Sequence, residues 1–319
     1  MRILITGGAG FIGSHLADHL LAQGNQVILL DDLSTGRLSN IEHLLGRPDV
    51  EFVLGSILNA DLVDDVVARA STVYHLAAAV GVELIVERPL QSLMTNIRGS
   101  EIVFEKAHKN GARMLVTSTS EIYGKNTSDR LREDDDRILG SPLKSRWSYS
   151  EAKAIDEILA DTYWREKGLE TVIVRLFNTV GPRQTGSYGM VIPRFVSQAL
   201  RNDSITVFGS GEQTRCFGYV GDVVKGMVDL CNTPEAFGKV FNLGGNEEVS
   251  IRDLAERIIA AAGSTSKVEY IPYDVAYEEG FEDMQRRVPD TTRAFNLVGF
   301  QPTVGLDEII RQVIDEQRK

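Results

Sequence analysis

The stretch Arg2-Ile3-Leu4-Ile5-Thr6-Gly7-Gly8-Ala9-Gly10-Phe11-Ile12-Gly13-Ser14-His15-Leu16 decides the fold. Residues 2–6 form an apolar run of strand length. The chain then breaks into a glycine-rich turn and resumes with helical spacing from about Phe11 to Ala22, stopping at Gly24. Two overlapping spacings are satisfied, Gly8-x-Gly10-x-x-Gly13 and Gly7-x-x-Gly10-x-x-Gly13. Glycine permits positive φ and close backbone approach. The helix that follows offers free N–H groups and the positive end of its dipole to a pyrophosphate. A lone match of this kind is weak, but a strand before it and a helix after it supply the context it requires. Gly7, Gly10, Phe11, Ile12 and Gly13 are therefore expected to lie against a dinucleotide.

The next strand, from Gln26 to Leu30, ends in Asp31-Asp32. An acid about 20 residues beyond the glycines is placed for the adenosine ribose hydroxyls. It repels a 2′-phosphate, so NAD is favoured over NADP, although Arg37 is near enough in sequence to accept such a phosphate. The plainer reading of Asp31-Asp32 is a solvated turn. Further on, Leu76, Ala77 and Ala78 supply small residues where a dinucleotide must lie against a strand end. Asn96 sits in a helical stretch and is open to two readings, a clamp on a loop beside the cofactor or a surface residue.

Further strands are expected at 51–54, 72–76, 112–118 and 170–175, with helices at about 60–69, 84–110 and 148–167 between them. That alternation implies βαβ units with right-handed crossovers and a sheet covered on both faces. The fold class expected is α/β, a doubly wound parallel sheet (Rossmann) with a second, smaller substrate-binding α/β lobe. The first domain is placed at 1–178 and the lobe at 179–319, with segments such as 214–243 returning to the first domain. Helices near 190–201, 220–232, 250–262 and 305–317 and strands near 205–208 and 240–243 build the second part. Ligands of open α/β sheets bind at the carboxyl edge.

Chemistry enters with Trp147-Ser148-Tyr149-Ser150-Glu151-Ala152-Lys153 and Ser118-Thr119-Ser120-Glu121-Ile122-Tyr123-Gly124. Residues four apart on a helix share a face, so Tyr149 and Lys153 point at one substrate. A free tyrosine is a poor base at neutral pH, and an ammonium beside it is expected to lower its pKa. With the glycine turn upstream, these two segments describe a nicotinamide-dependent oxidoreductase site. The alternative is an exposed helix with an incidental Tyr and Lys.

The bulk numbers agree. The chain has 319 residues, 43% of them hydrophobic and 25% charged, with a net charge of −11. An acidic surface argues against a sequence-independent nucleic-acid binder. Cys216 and Cys231 have no metal-type spacing and read as buried free thiols of a reducing compartment. No metal site is expected. The N-terminus lacks a signal-peptide layout and no apolar run reaches membrane-spanning length, so a cytoplasmic protein is expected, with no membrane or nucleic-acid partner.

The three motifs in this order resemble the extended short-chain dehydrogenase/reductase superfamily over essentially the whole chain. Arg175-Leu176-Phe177-Asn178-Thr179-Val180-Gly181-Pro182-Arg183 and Gly209-Ser210-Gly211-Glu212-Gln213-Thr214-Arg215 are similar to its NAD-dependent nucleotide-sugar branch. The resemblance implies that Thr119 holds the sugar hydroxyl, Tyr149 removes its proton, and Lys153 holds the nicotinamide ribose. It implies that Asn178 and Arg215 contact the diphosphate of a UDP-sugar, and that strand 205–208, with Val207, lines the base. A homodimer through the helices at 84–110 and 148–167 is implied in the same way.

The residues after Thr119 separate reaction types within the branch. The 4,6-dehydratases carry Asp then Glu there; Ser120 in this chain disfavours dehydration. In 4-epimerases the equivalent of Glu121 is usually not acidic. Thr119-Ser120-Glu121 is most similar to UDP-glucuronate decarboxylases and also resembles UDP-apiose synthases, which carry a Cys in place of Ser120; Arg146-Trp147-Ser148-Tyr149 and the segment 280–290 resemble the decarboxylase of the 4-amino-arabinose pathway and the apiose synthases. By that match Arg146 and Arg287 lie near the sugar, with Arg287 an acid or a diphosphate clamp. Glu121 as a buried acid paired with an arginine is the competing reading. The expected activity is decarboxylation of UDP-glucuronate to UDP-xylose or its 4-keto precursor; the alternative is a UDP-glucuronate or UDP-glucose 4-epimerase.

Overall fold

The computed structural model describes residues 1–79, 89–144, 147–186, 190–276 and 284–319. Strand β1 (Arg2–Thr6) leads through the glycine turn into helix α1 (Phe11–Ala22), followed by β2 (Gln26–Asp31), β3 (Val50–Leu54), α2 (Ala60–Ala68), β4 (Thr72–His75) and α3 (Pro89–Asn110). Then come β5 (Arg113–Thr119), α4 (Ser148–Lys167), β6 (Thr171–Leu176) and β7 (Thr179–Val180). The remainder holds α5 (Val191–Leu200), β8 (Ile205–Phe208), β9 (Thr214–Cys216), β10 (Gly218–Tyr219), α6 (Val220–Cys231), β11 (Lys239–Leu243) and β12 (Glu248–Ser250). It closes with α7 (Ile251–Ala262), β13 (Val268–Ile271), α8 (Tyr273–Ala276), β14 (Arg286–Arg287), α9 (Thr292–Val298) and α10 (Leu306–Gln317).

Seven strands form one sheet in the order β11-β6-β5-β4-β1-β2-β3, with every neighbouring pair parallel. The chain winds outward from β1 in both directions, so the doubly wound sheet is present. Both faces are covered. Ile3 and Ile5 of β1 and Val27 and Leu29 of β2 enter the apolar layer built with α1 and α6. Leu4, Ile28 and Leu30 enter the opposite layer, built with α2, α3 and α4. This is the period-2 alternation of a strand buried on two sides. The order reverses between β1 and β4, which opens a crevice at their carboxyl ends, where Thr6 and His75 are register partners.

A third apolar cluster is built from α5, β8, α7 and α10. Helix α6 packs instead on α1, and β11 is the edge strand of the large sheet beside β6. The structure adds short pieces that the sequence pattern does not reveal: β7 with β10, β9 between β12 and β14, and β13 as the partner of the expected β8. The start of the helix expected at 84 lies in 80–88, outside the described residues. Cys216 and Cys231 are buried free thiols.

Candidate active site

A cavity of about 600 Å³ runs along the carboxyl edge of the sheet. That is the size range of small-molecule and cofactor sites. The glycine turn forms one end, where Gly7, Gly10, Phe11, Ile12 and Gly13 all line it. Gly7 has φ +72°, and a Cβ on it would stand 2.9 Å from the Ala77 backbone nitrogen. A Cβ on Gly13 would stand 2.1 Å from the Gly7 carbonyl oxygen. Helix α1 therefore starts hard against the turn. Its N-cap is Gly10 with no side-chain cap, so its leading N–H groups are available to an anion. This cradle fits a dinucleotide pyrophosphate.

Asp31 ends β2 beside the turn. Its Oδ2 accepts from Ala9 N at 2.9 Å and its Oδ1 from Leu33 N at 2.8 Å. Burial raises its pKa, and these two backbone donors pull it back. One carboxylate thus ties the turn to the strand and still lines the cavity, with Asp32 next to it. Asp32 accepts from Ser34 N at 3.0 Å, a local turn. Leu76, Ala77 and Ala78 form the facing wall. Ala77 N donates to Thr6 Oγ1 at 3.2 Å. Asn96 does not line the cavity; it accepts from Ala79 N at 2.7 Å and donates to Ala79 O at 3.1 Å. Its part is to hold the wall in place.

The middle of the cavity is built from β5 and α4. Thr119 ends β5, and its Oγ1 accepts from Glu121 N at 3.2 Å, capping a short 3-10 turn over 120–123. Ser150 Oγ donates to Glu121 O at 2.8 Å and docks the start of α4 on that turn. Thr119, Ser120, Glu121 and Tyr149 consequently line one stretch of wall. Arg287 faces them: its Nη1 lies 3.7 Å from Glu121 Oε1 and donates to Ser120 Oγ at 3.4 Å. Lys153 is beneath this wall, 1% exposed, with Nζ donating to Asp156 Oδ2 at 3.0 Å.

The expectation that Tyr149 has a lowered pKa is corrected here. Burial pushes the phenol well up, and the negative charges of Glu121 and Asp156 push the same way. Lys153 is partnered by Asp156, so its charge reaches the phenol partly compensated.

The far end brings together Asn178 and Arg215. Arg215 of β9 and Arg287 of β14 are register partners on parallel strands, and both line the cavity. Arg is suited to bidentate anion recognition. Asn178 Nδ2 donates to Cys216 O at 3.1 Å and Gly218 N donates to Asn178 O at 2.9 Å, which fixes it between β6 and the small sheet. Val207 is a second correction. It is 0% exposed and packs with Ile205 into the apolar cluster of α5 and α7. Strand alternation turns Phe208 outward, and Phe208, Gln213 and Tyr273 line the cavity there. Arg146 lies outside the described residues, as does 280–283 of the segment read with it.

Sequence reasoning missed the contacts that hold one rim of the cavity. Arg37 was weighed only as a phosphate acceptor, yet its Nη2 donates to Thr185 Oγ1 at 3.0 Å. Arg183, at φ +66°, pairs with Asp18 at 2.7 Å. His15 Nε2 lies 2.9 Å from Pro182 O. The glycine-rich loop after Val180 is thereby strapped to α1 and to the loop after β2. The polar run 181–189 was the available signal.

Over residues 4–313 the chain matches the family described as GDP-mannose 4,6 dehydratase. The chain belongs to that family. Among its relatives, a UDP-N-acetyl-alpha-D-glucosaminuronate decarboxylase of Bacillus cytotoxicus is 38% identical over 314 residues, 98% of this chain and 96% of the relative. UDP-glucuronic acid decarboxylase 1 of Xenopus tropicalis is 37% identical, covering 100% of this chain and 72% of the relative. In structure, the UDP-glucuronic acid 4-epimerase of Bacillus cereus in complex with UDP-glucuronic acid and NAD superposes with a TM-score of 0.90 at 29% identity, covering 100% of this chain and 99% of that one.

Proposed function

We propose that this family member is an NAD-dependent UDP-sugar enzyme, a UDP-glucuronate decarboxylase giving UDP-xylose or its 4-keto precursor. The observation that carries the reading is the Glu121–Arg287 pair, set on the same wall as Thr119 and Tyr149. Full-length similarity to decarboxylases of two uronate nucleotides supports it. The glycine cradle, the uncapped start of α1 and Asp31 are the residues that would hold NAD. When bound, NAD supplies a reversible hydride acceptor for the sugar C4.

The chain's own residues do the rest. Thr119 Oγ1 accepts from Glu121 N, which leaves its hydroxyl proton free to donate to the sugar O4. Tyr149 takes the O4 proton as C4 is oxidised, a general-base role. Its raised pKa makes it a strong base once deprotonated, and the Lys153 charge supports the phenolate. With a ketone at C4, the C6 carboxylate is β to a carbonyl and its bond to C5 breaks to release carbon dioxide. Arg287 faces that carboxylate, while Glu121 repels it and already engages the guanidinium. The carboxylate therefore lacks the full ion pair that would hold it in the ground state. Arg215 beside Arg287 suits the diphosphate. A proton delivered to C5 gives the 4-keto-pentose; for UDP-xylose the hydride then returns to C4 as Tyr149 gives its proton back to O4, so the cofactor would not be consumed.

A 4-epimerase is the second reading, supported by the superposition on the Bacillus cereus epimerase. The two share the first step and differ in whether carbon is lost. Incubation with UDP-glucuronate is expected to release carbon dioxide and form a UDP-pentose. Formation of UDP-galacturonate with no carbon dioxide would overturn the decarboxylase reading. We further propose a cytoplasmic homodimer through α3 and α4. Leu90 (73% exposed) and Ile158 (62%) leave an apolar face there, and no described helix is long and apolar enough to cross a membrane. Sedimentation at the monomer mass would refute the dimer.

A further inference from the structure

Lys153 and Asp156 are three residues apart on α4, 1% and 0% exposed, and joined at 3.0 Å. A buried ion pair of this kind gains little net stability, because desolvation of both charges offsets their attraction. Among the described residues Asp156 Oδ1 is also buried with no hydrogen bond of its own, the nearby Ser100 hydroxyl donating instead to Asn96 O, an arrangement that costs further. Folding alone does not explain such a carboxylate. Burial raises its pKa; Lys153 and Ser100 pull it back, and the Glu157 charge adds to the rise. His75, 0% exposed, has Nε2 at 3.0 Å from Ser100 Oγ and Nδ1 at 2.8 Å from Thr6 Oγ1. Ser100 Oγ donates to Asn96 O at 2.7 Å, and Thr6 Oγ1 accepts from Ala77 N. These directions assign His75 as a neutral Nε2–H donor, consistent with a pKa pushed down to about 3 by burial and by Lys153. The imidazole is thus no counterion, and Asp156 is the carboxylate bonded to the ammonium.

We propose that Asp156 is a positioning residue of the active site: its carboxylate holds the Lys153 ammonium beneath Tyr149 and sets how much of that charge the phenol feels. This rests on the reading of Tyr149 as the base. An ammonium has three donors. With one fixed on Asp156, the other two are left to point from α4 toward the cavity, where a ribose hydroxyl and the tyrosine would meet them. The charged groups facing Tyr149 are Asp156 and Lys153 from its own helix and Glu121 from the turn after β5, with Arg287 of β14 behind Glu121. Asp156 does not line the cavity, so its replacement leaves every cavity-lining side chain in place.

The test uses NAD-loaded protein and Asp156→Asn, which keeps an acceptor for Lys153 and deletes the charge. The phenolate of Tyr149 is read as ultraviolet difference absorbance against the same protein carrying Tyr149→Phe. Because it needs no substrate, this reading stands even if UDP-glucuronate is not turned over. At one fixed alkaline pH the Asp156→Asn background is expected to show more phenolate than the parent. On whichever UDP-sugar is turned over, the acid limb of kcat/KM moves to lower pH. Asp156→Leu, which frees the ammonium to shift by an ångström or so, is expected to lose about 10²-fold in kcat. Equal phenolate absorbance in the two backgrounds overturns the proposal. So does an Asp156→Asn protein that no longer folds, since Asp156 would then serve folding alone.

Discussion

Gly13→Ala puts one methyl group where the structure has no room for it. The new Cβ would stand 2.1 Å from the Gly7 carbonyl oxygen, and real Cβ atoms essentially never come under 3.0 Å. The neighbour is backbone, so no side chain swings away to relieve the clash. Either α1 retreats from the turn or the turn opens, in each case by about an ångström. Gly7 N donates to Leu30 O at 2.8 Å and Gly10 N to Gly7 O at 3.1 Å, so the turn resists. A displacement of about 1 Å in a positioned site costs on the order of 10²-fold, which for binding is about 2.7 kcal/mol. The expected result is an NAD dissociation constant raised about a hundredfold by calorimetry, with the far-ultraviolet circular dichroism of the parent. Binding within about threefold of the parent would refute the claim that this turn holds the pyrophosphate.

Other expectations follow from the same wall. Tyr149→Phe keeps the fold and NAD binding and lowers turnover at least about 10²-fold; near-normal turnover removes Tyr149 from the mechanism. Glu121→Gln slows the step after oxidation more than oxidation itself, so rapid mixing should show reduced-nicotinamide absorbance building up. Tyr149→Phe should show none; a Glu121→Gln protein that also shows none would place Glu121 in the first step. His75 supplies a pH signature. Its folded pKa is near 3 against an ordinary 6.5, so between those values the unfolded chain binds a proton that the folded one does not. Stability is complete above pH 6.5 and falls as pH drops through that window, by up to about 1.4 kcal/mol per pH unit. Urea midpoints should fall less steeply with acid in His75→Asn; parallel curves would contradict the assignment.

Local motifs were legible before the structure. The glycine turn, Asp31 after the second strand and the Tyr149–Lys153 spacing each depend on a few consecutive residues with one backbone geometry. The parallel sheet followed from strands buried on both faces. What escaped depends on long-range pairing. Arg215 and Arg287 become neighbours through β9 and β14, strands of three and two residues with no period to read. Val207 was misplaced because both faces of Ile205-Thr206-Val207-Phe208 carry an apolar residue, and only packing shows which one faces the cavity. A Lys–Asp pair three apart on a helix reads as a surface ion pair. Its burial comes from the packing of α4 on α3, β5 and β6, a property of the assembled sheet. The lowered pKa expected of Tyr149 failed because the phenol is buried, which the sequence does not show, and because Glu121 and Asp156 push the same way.

The central claim is that carbon leaves C5 and that C4 ends with the hydrogen it began with. Turnover of UDP-glucuronate in deuterium oxide, followed by nuclear magnetic resonance of the product, reads both positions at once. The account predicts a UDP-pentose with one deuteron at C5, carbon dioxide in equal amount, and the substrate's own hydrogen at C4. A product that keeps its carboxylate and its C5 hydrogen, with C4 inverted, would contradict it.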